Sequence, residues 1–141
     1  MELDFALLAD AAQVSEGKTF ILGGGVSILW RDQYPAPLGF TLVCQFTFER
    51  TEADSDHQIR VVVMDADGNP LLPDLSGSMH IGPPADGLPR GVPLAIPLIL
   101  GFPPLPVIQR PGEYQVGILL DGRHMKTLPF AVVRPESGQA G

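Results

Sequence analysis

The string Gly-Lys-Thr at residues 17–19 is the sequence feature that most suggests chemistry. A phosphate-binding loop ends in these three residue types, after a glycine five positions earlier and before a helix whose N-terminus holds the phosphates. Here the earlier position is Ala12, and the residues that follow, Phe-Ile-Leu at 20–22, favour a strand. We therefore predict a turn that leads into a strand, and no nucleotide site.

Acidic turns offer a second kind of chemistry, because oxygen ligands at alternate positions suit calcium. Asp65, Asp67 and Asn69 have that spacing, but a proline occupies the sixth position of the loop, where the helix-loop-helix calcium pattern needs glycine. A hairpin turn explains these residues. A calcium site shared between separate loops, with Asp121 or Asp86 contributing, stays open as an alternative.

Nucleophiles and metal-binding side chains are present without a supporting pattern. No short spacing places two of the histidines (His57, His80 and His124) on one face for a metal, and Cys44 lies in phase with the buried side of its strand. No nucleophile elbow or recognisable acid–base partner accompanies the serines. The serines are Ser15, Ser27, Ser55, Ser76, Ser78 and Ser137. The sequence thus predicts no enzyme, cofactor or metal, with a small hydrolase that depends on one histidine as a third alternative.

Composition limits the partners and the compartment. The chain has 141 residues, a net charge of −7 and only nine Lys and Arg, so it lacks the basic surface that attracts DNA or RNA. No run approaches the ~18 apolar residues of a membrane helix. A single cysteine excludes an intrachain disulfide, and the start Met-Glu-Leu-Asp lacks the basic residues of a secretory signal. We expect a cytoplasmic protein without nucleic-acid or membrane partners.

Apolar side chains recur at every second position along most of the chain, which is the period of a half-buried strand. The clearest strands are residues 40–48, 59–63 and 114–120. Asp121-Gly122 and an alternating run at 128–132 follow the last of them, which predicts a hairpin.

Three further segments are less regular. Residues 3–14 fit both a strand and a helical stripe, and we favour a strand because no helix-capping residue precedes them. The glycines at 23–25 predict a bulge or bend within one long strand that continues to Trp30. Pro93 and Pro97 lie on one side of an alternating run and remove N–H donors from the same lateral edge, which predicts an edge strand.

Glycine and proline number 16 and 15 and separate these runs, and no segment is a convincing helix. The pattern predicts an all-β fold, namely one antiparallel β-sandwich of about seven or eight strands over residues 1–134. We expect an immunoglobulin-like arrangement, with a jelly roll as the alternative. We predict that residues 135–141 form a flexible C-terminal tail.

One stretch resembles a known family. Residues 7–14 read Leu-Leu-Ala-Asp-Ala-Ala-Gln-Val, followed by Gly-Lys at 17–18 and Ile-Leu-Gly-Gly-Gly at 21–25. These residues, with those at 63–68 and 111–114, resemble an uncharacterised bacterial family of small β-sandwich proteins over most of the chain. The resemblance implies an all-β fold with no assigned activity, and it implies no catalytic or binding residues.

We therefore expect a non-enzymatic protein-binding or assembly module, which presents loops or a sheet face to another protein or to copies of itself. The alternative is a calcium- or carbohydrate-binding β-sandwich. In that case the acidic turns would hold the ion, or exposed Trp30 and Tyr34 would stack on a sugar.

Overall fold

The chain forms strands wherever the two-residue apolar period is sustained. The computed structural model describes residues 1–136 and contains nine strands, with one turn of 3₁₀ helix at Arg50–Glu52. The strands are β1 (Glu2–Ser15), β2 (Lys18–Gly24), β3 (Ile28–Trp30), β4 (Thr41–Phe48), β5 (Ser55–Asp65), β6 (Leu75–Ile81), β7 (Leu94–Gly101), β8 (Gly112–Leu120) and β9 (Arg123–Val133). Most of the predicted tail, with Ser137, lies outside the described residues.

Two sheets stack in a sandwich-like arrangement. One has the strand order β2-β1-β4-β7, and the other has the order β3-β9-β8-β5-β6. The all-β prediction is confirmed. Nine strands are present instead of seven or eight, and the pairing is not purely antiparallel, because Ile28–Trp30 run parallel to Ala131–Val133. The sequence pattern hides β6, whose centre is Ser-Gly-Ser at 76–78, and it predicts β3 only as the end of the strand before it.

The core between the sheets is built from alternate apolar residues of both. In β4, Leu42, Cys44 and Phe46 are fully buried. From the other sheet, the rings of Tyr114 and Phe130 stack with centroids 5.6 Å apart. Burial raises the pKa of the Cys44 thiol to about 12, so the thiol stays protonated in the folded protein. The prediction that Cys44 belongs to the core is confirmed.

Both predicted hairpins are present, and each is closed by two residues with positive φ. Glu16 and Gly17 join β1 to β2 with φ of 51° and 72°, and Asp121 and Gly122 join β8 to β9 with φ of 51° and 78°. Positive φ at both positions gives the turn whose twist matches two antiparallel strands. The N-terminal segment is thus one strand, as predicted, and residues 17–19 complete a turn and begin β2 rather than forming a phosphate-binding loop.

The glycines at 23–25 carry the chain from one sheet to the other, so the predicted bend within one long strand is wrong. Gly23 and Gly25 have φ of 63° and 83°, which glycine adopts without strain. The N–H groups of Gly25 and Val26 both donate to the carbonyl of Leu8, at 2.9 and 2.8 Å. The chain therefore leaves the four-stranded sheet after β2 and enters the five-stranded sheet at β3.

β7 lies at the edge of its sheet, which confirms the prediction from the prolines. It pairs with β4, with Pro97 opposite Gln45, while Pro93 precedes the strand. Proline cannot donate to a sheet ladder and is confined to edge strands and bulges. This edge is therefore a poor template for pairing with another chain.

Candidate functional site

The first hairpin extends beyond the sheet to which it belongs. β4 pairs with β1 only over Glu2–Ala9, whereas the rest of β1 pairs with β2 alone. We call residues 10–23 the hairpin arm. Because its distal strands have no further sheet neighbour, the arm presents both faces and the outer edge of β2 at the surface.

The arm exposes three large apolar side chains. Val14 is 46% exposed, Phe20 51% and Leu22 71%. Phe20 and Leu22 point to the same face, because successive side chains of a strand alternate and these two are separated by one residue. Val14 pairs with Thr19 and lies on the opposite face. Exposed single apolar residues are ordinary, but two large ones side by side on one face of a projecting hairpin are typical of an interaction surface.

The base of the arm is held by a close backbone approach. A Cβ atom built on Gly23 would lie 2.1 Å from Oδ2 of Asp10, on the neighbouring strand. Any side chain at position 23 would therefore collide with the Asp10 carboxylate. Together with the positive φ of Gly23, this contact explains why only glycine fits where the arm meets the crossover to β3.

A second cluster lies at the opposite end of the sandwich, and we call Glu52, Ser55, His57 and Asp121 the Ser55 network. Nε2 of His57 is 3.0 Å from Oγ of Ser55, and Nδ1 of His57 is 2.7 Å from Oδ2 of Asp121. The other Asp121 oxygen accepts the backbone N–H of Gln58 at 2.8 Å. That N–H, and next His57, lower the pKa of the Asp121 carboxyl.

The Ser55 network has the order of groups found in serine hydrolases, yet its hydrogen bonds differ from theirs. In a catalytic triad the serine hydroxyl donates to the histidine, which removes its proton. Here the Ser55 hydroxyl donates to the backbone carbonyl of Glu52. The Glu52 side chain in turn pairs with the Met1 amino group and accepts the N–H of Glu49. The network thus joins the 3₁₀ turn, β5 and the β8–β9 turn, and it leaves the serine engaged elsewhere.

A surface cavity of about 550 Å³ lies beside this cluster without reaching its centre. Residues 49–52 and 90–93 line it, together with Met1, while Ser55 and His57 do not. The arrangement therefore provides hydrogen bonds that tie strand ends together.

Sequence reasoning did not identify this network, and the expectation that Ser55 has no acid–base partner is wrong. Ser55 and His57 are two residues apart, which places both on one face of a strand. Asp121 follows 64 residues after His57. The pairing of Ile59 with Leu120 brings that turn beside the start of β5. A Ser-x-His pair just before the strand predicted at residues 59–63 was the one available signal.

The acidic turns do not form a shared calcium site. Oδ1 of Asp65 accepts the N–H groups of Asp67 and Asn69, each at 2.9 Å, and the Asn69 N–H is the main cause of the lowered pKa of Asp65. Asp121 lies beside Gln58, seven residues earlier along β5, which is about 23 Å away. Across residues 1–136, no group of three His, Cys, Asp or Glu is placed to hold a metal ion.

The aromatic pair proposed for sugar binding is not formed as expected. Trp30 is 45% exposed on β3. Tyr34, expected to be exposed, is only partly exposed and packs against the core, and the guanidinium carbon of Arg134 lies 5.0 Å from the centre of its ring. One face of the Tyr34 ring is therefore covered by a cation.

Comparison with known proteins identifies a family, and the function of that family is unknown. No curated protein matches the chain. Within the part that the structure describes, no helix has the length and apolar character needed to span a bilayer. The chain belongs to the family of unknown function DUF6941, whose model matches residues 4–133.

Proposed function

We propose that this chain is a non-enzymatic protein-binding or assembly module, and that the hairpin arm is its docking surface. The observation that carries the proposal is the exposure of Phe20 and Leu22 on one face of a hairpin that projects beyond the sheet. Apolar area in water costs about 25 cal/mol per Å². Covering these side chains with a partner removes that cost, which makes the arm the favourable place for binding.

Charge supports a protein partner for this surface. The net charge of −7 disfavours a nucleic acid, whose phosphates would be repelled. The arm itself carries Asp10, Glu16 and Lys18 only, so its apolar side chains are bordered by few charges. We place the module in the cytoplasm, because Cys44 is a free buried thiol and no disulfide is needed to hold the fold.

The non-enzymatic part of the proposal is supported by the engaged hydroxyl of Ser55. A fluorophosphonate probe, which labels activated serines, tests it directly. We expect no labelling of the wild-type protein. Labelling that disappears in Ser55→Ala and persists in Ser76→Ala, an exposed serine on β6, would overturn this part.

We further propose that the sandwich is of the immunoglobulin-like kind rather than a jelly roll. Its support is the strand order β3-β9-β8-β5-β6 opposite β1-β4-β7, with β3 parallel to the last strand. A second support is the hydroxyl of Tyr114, which donates to the carbonyl of Arg110 at 2.5 Å, early in β8. Such a tyrosine corner is a hallmark of immunoglobulin-type sandwiches.

Affinity capture tests the docking surface. Wild-type protein, Leu22→Asp and Leu105→Asp are immobilised and exposed to native lysate of the source organism, and bound proteins are quantified by mass spectrometry. Leu105 is the matched control, because it is 50% exposed in the loop between β7 and β8 and is not part of the hairpin arm. The solution mass of each form is measured in parallel to detect self-association.

The proposal predicts a partner, either another protein or a second copy, that wild type and Leu105→Asp bind and Leu22→Asp loses. Two results would overturn it. One is equal binding by all three forms. The other is no captured protein together with a monomeric wild type at high concentration.

A further inference from the structure

The outer edge of β2 offers backbone hydrogen-bonding groups to a further strand. β2 is the terminal strand of its sheet in the described residues. Its two-residue turn makes Ser15 and Lys18 a hydrogen-bonded pair, and such pairs alternate along antiparallel strands. Phe20 and Leu22 therefore direct their N–H and C=O groups to β1, whereas Thr19 and Ile21 direct theirs outward.

β2 is less protected than the other sheet edges, because its only charged residue, Lys18, stands at its first position. Pro97 interrupts β7, β3 has only three residues, and β6 exposes Ser76 and Ser78 without a large exposed apolar side chain. β2 contains neither proline nor an acidic residue, and it adds exposed Phe20 and Leu22 to a free edge. These devices normally prevent edge-to-edge pairing, so their absence indicates an edge that is used.

We propose that β2 pairs antiparallel with β2 of a second copy of this chain, which makes the two four-stranded sheets continuous; this names the partner of the proposed docking surface and rests on that proposal. A two-fold axis at Ile21 places Phe20 of each copy opposite Leu22 of the other. Because the outward groups belong to Thr19 and Ile21, Phe20 and Leu22 form a non-hydrogen-bonded pair, in which facing side chains lie closest.

The side chains that lie opposite each other favour an axis at Ile21 over the neighbouring axes. With the axis at Ile21, Lys18 stands opposite Gly24 of the second copy, which has no side chain to oppose it. Two neighbouring axes are also compatible with the outward groups. An axis at Phe20 would place the Lys18 ammonium opposite Leu22, and an axis at Leu22 would place Phe20 opposite Gly24 and lose the Phe20–Leu22 contact. Pairing a charge with an exposed leucine forfeits the apolar contact, so the axis at Ile21 is favoured.

The area available sets the strength of the pairing. At 51% and 71% exposure, Phe20 and Leu22 offer roughly 200 Å² per copy, against about 800 Å² per partner in a standard interface. The dimer is therefore weak and depends on concentration. Each copy carries a net charge of −7, so screening their repulsion with salt strengthens the association.

A charge exchange tests both the partner and the register. Sedimentation velocity is recorded from about 5 μM to about 1 mM for wild type, Phe20→Lys, Leu22→Glu and an equimolar mixture of the two variants. In the proposed register the mixture places the introduced lysine opposite the introduced glutamate while the other Phe20–Leu22 pair stays intact. Leu105→Glu is the control for an added charge elsewhere.

We expect wild type and Leu105→Glu to dimerise within this concentration range, each arm variant alone to lose at least about tenfold in affinity, and the mixture to recover most of that loss. A mixture as weak as its components would overturn the register. A wild type that stays monomeric at about 1 mM would overturn self-pairing. If such a monomer still captured a protein through Leu22, the proposed function would stand; if it captured none, both would fail.

Discussion

The hairpin arm and the Ser55 network lie at opposite ends of the sandwich. The arm exposes apolar side chains, whereas the exposed side chains of the network are polar and have hydrogen-bond partners. β1 connects them, since Met1 pairs with Glu52 and Ser15 ends the strand 14 residues on, about 46 Å away. The Asp121 side chain is 49% exposed, but its oxygens have protein partners. The Leu22 side chain is more exposed and packs on nothing that shields it.

This difference shows that exposure by itself does not identify a functional surface. Exposed polar groups that have partners within the chain contribute to stability, and Asp121 makes two such bonds to β5. Exposed apolar groups can be satisfied only by something outside the chain. The first region should therefore respond to mutation through stability, and the second through binding.

Among changes in the two regions, Asp121→Ala has the largest expected effect on stability. It removes two accepted hydrogen bonds and places alanine at a φ of 51°, so we expect the free energy of unfolding to fall by about 2 kcal/mol. Urea denaturation at neutral pH measures this. Asp121→Asn keeps an oxygen acceptor and tolerates the left-handed conformation, and should lose about half as much. Equal losses in the two variants would contradict the role assigned to the network.

The second largest effect is expected from acid, which should lower the stability that the Ser55 network provides. The pKa values of Asp121 and Glu52 are lowered in the folded protein, mainly by the backbone N–H groups of Gln58 and Glu49. Their contribution is therefore present above the unfolded pKa values of about 4 and is lost as the pH falls through the lower folded values. Because both carboxylates are exposed, the effect is modest.

Urea midpoints between neutral pH and about pH 3 measure this dependence. Asp121→Asn should show a shallower fall in stability below about pH 4 than wild type. Asp86→Asn, in the loop after β6, removes the same charge at a distance in sequence and serves as the control. A wild-type slope retained in Asp121→Asn would mean that Asp121 contributes nothing to acid sensitivity.

The strands were predictable because their physics is local. In β4, alternation of Leu42, Cys44 and Phe46 reports burial directly, and Asp121-Gly122 reports a turn that needs two positive φ angles. The change of sheet at residues 23–25 was not predictable. Glycine permits a bend within a strand and an exit from it equally well, and the choice depends on bonds to Leu8 in another strand.

The two sites were harder to predict, because each depends on the pairing of distant strands. Phe20 and Leu22 alternate just as buried residues do, and they are exposed only because β4 stops pairing with β1 at Ala9. His57 meets Asp121 only through the β5–β8 register. Periodicity identifies which residues share a face, and it says nothing about what covers that face.

Leu22→Ser is the change with the smallest expected effect on stability. Because the side chain is 71% exposed, we expect the free energy of unfolding to change by less than about 0.5 kcal/mol, against a loss of about 2–5 kcal/mol for Leu42→Ala in the core. The protein is kept at about 1 μM so that self-association does not add to the stability of wild type. A loss above about 1 kcal/mol would show that Leu22 already packs within a single copy. In that case mutations in the arm would act through stability, as those in the Ser55 network do, and the contrast between the two ends would disappear.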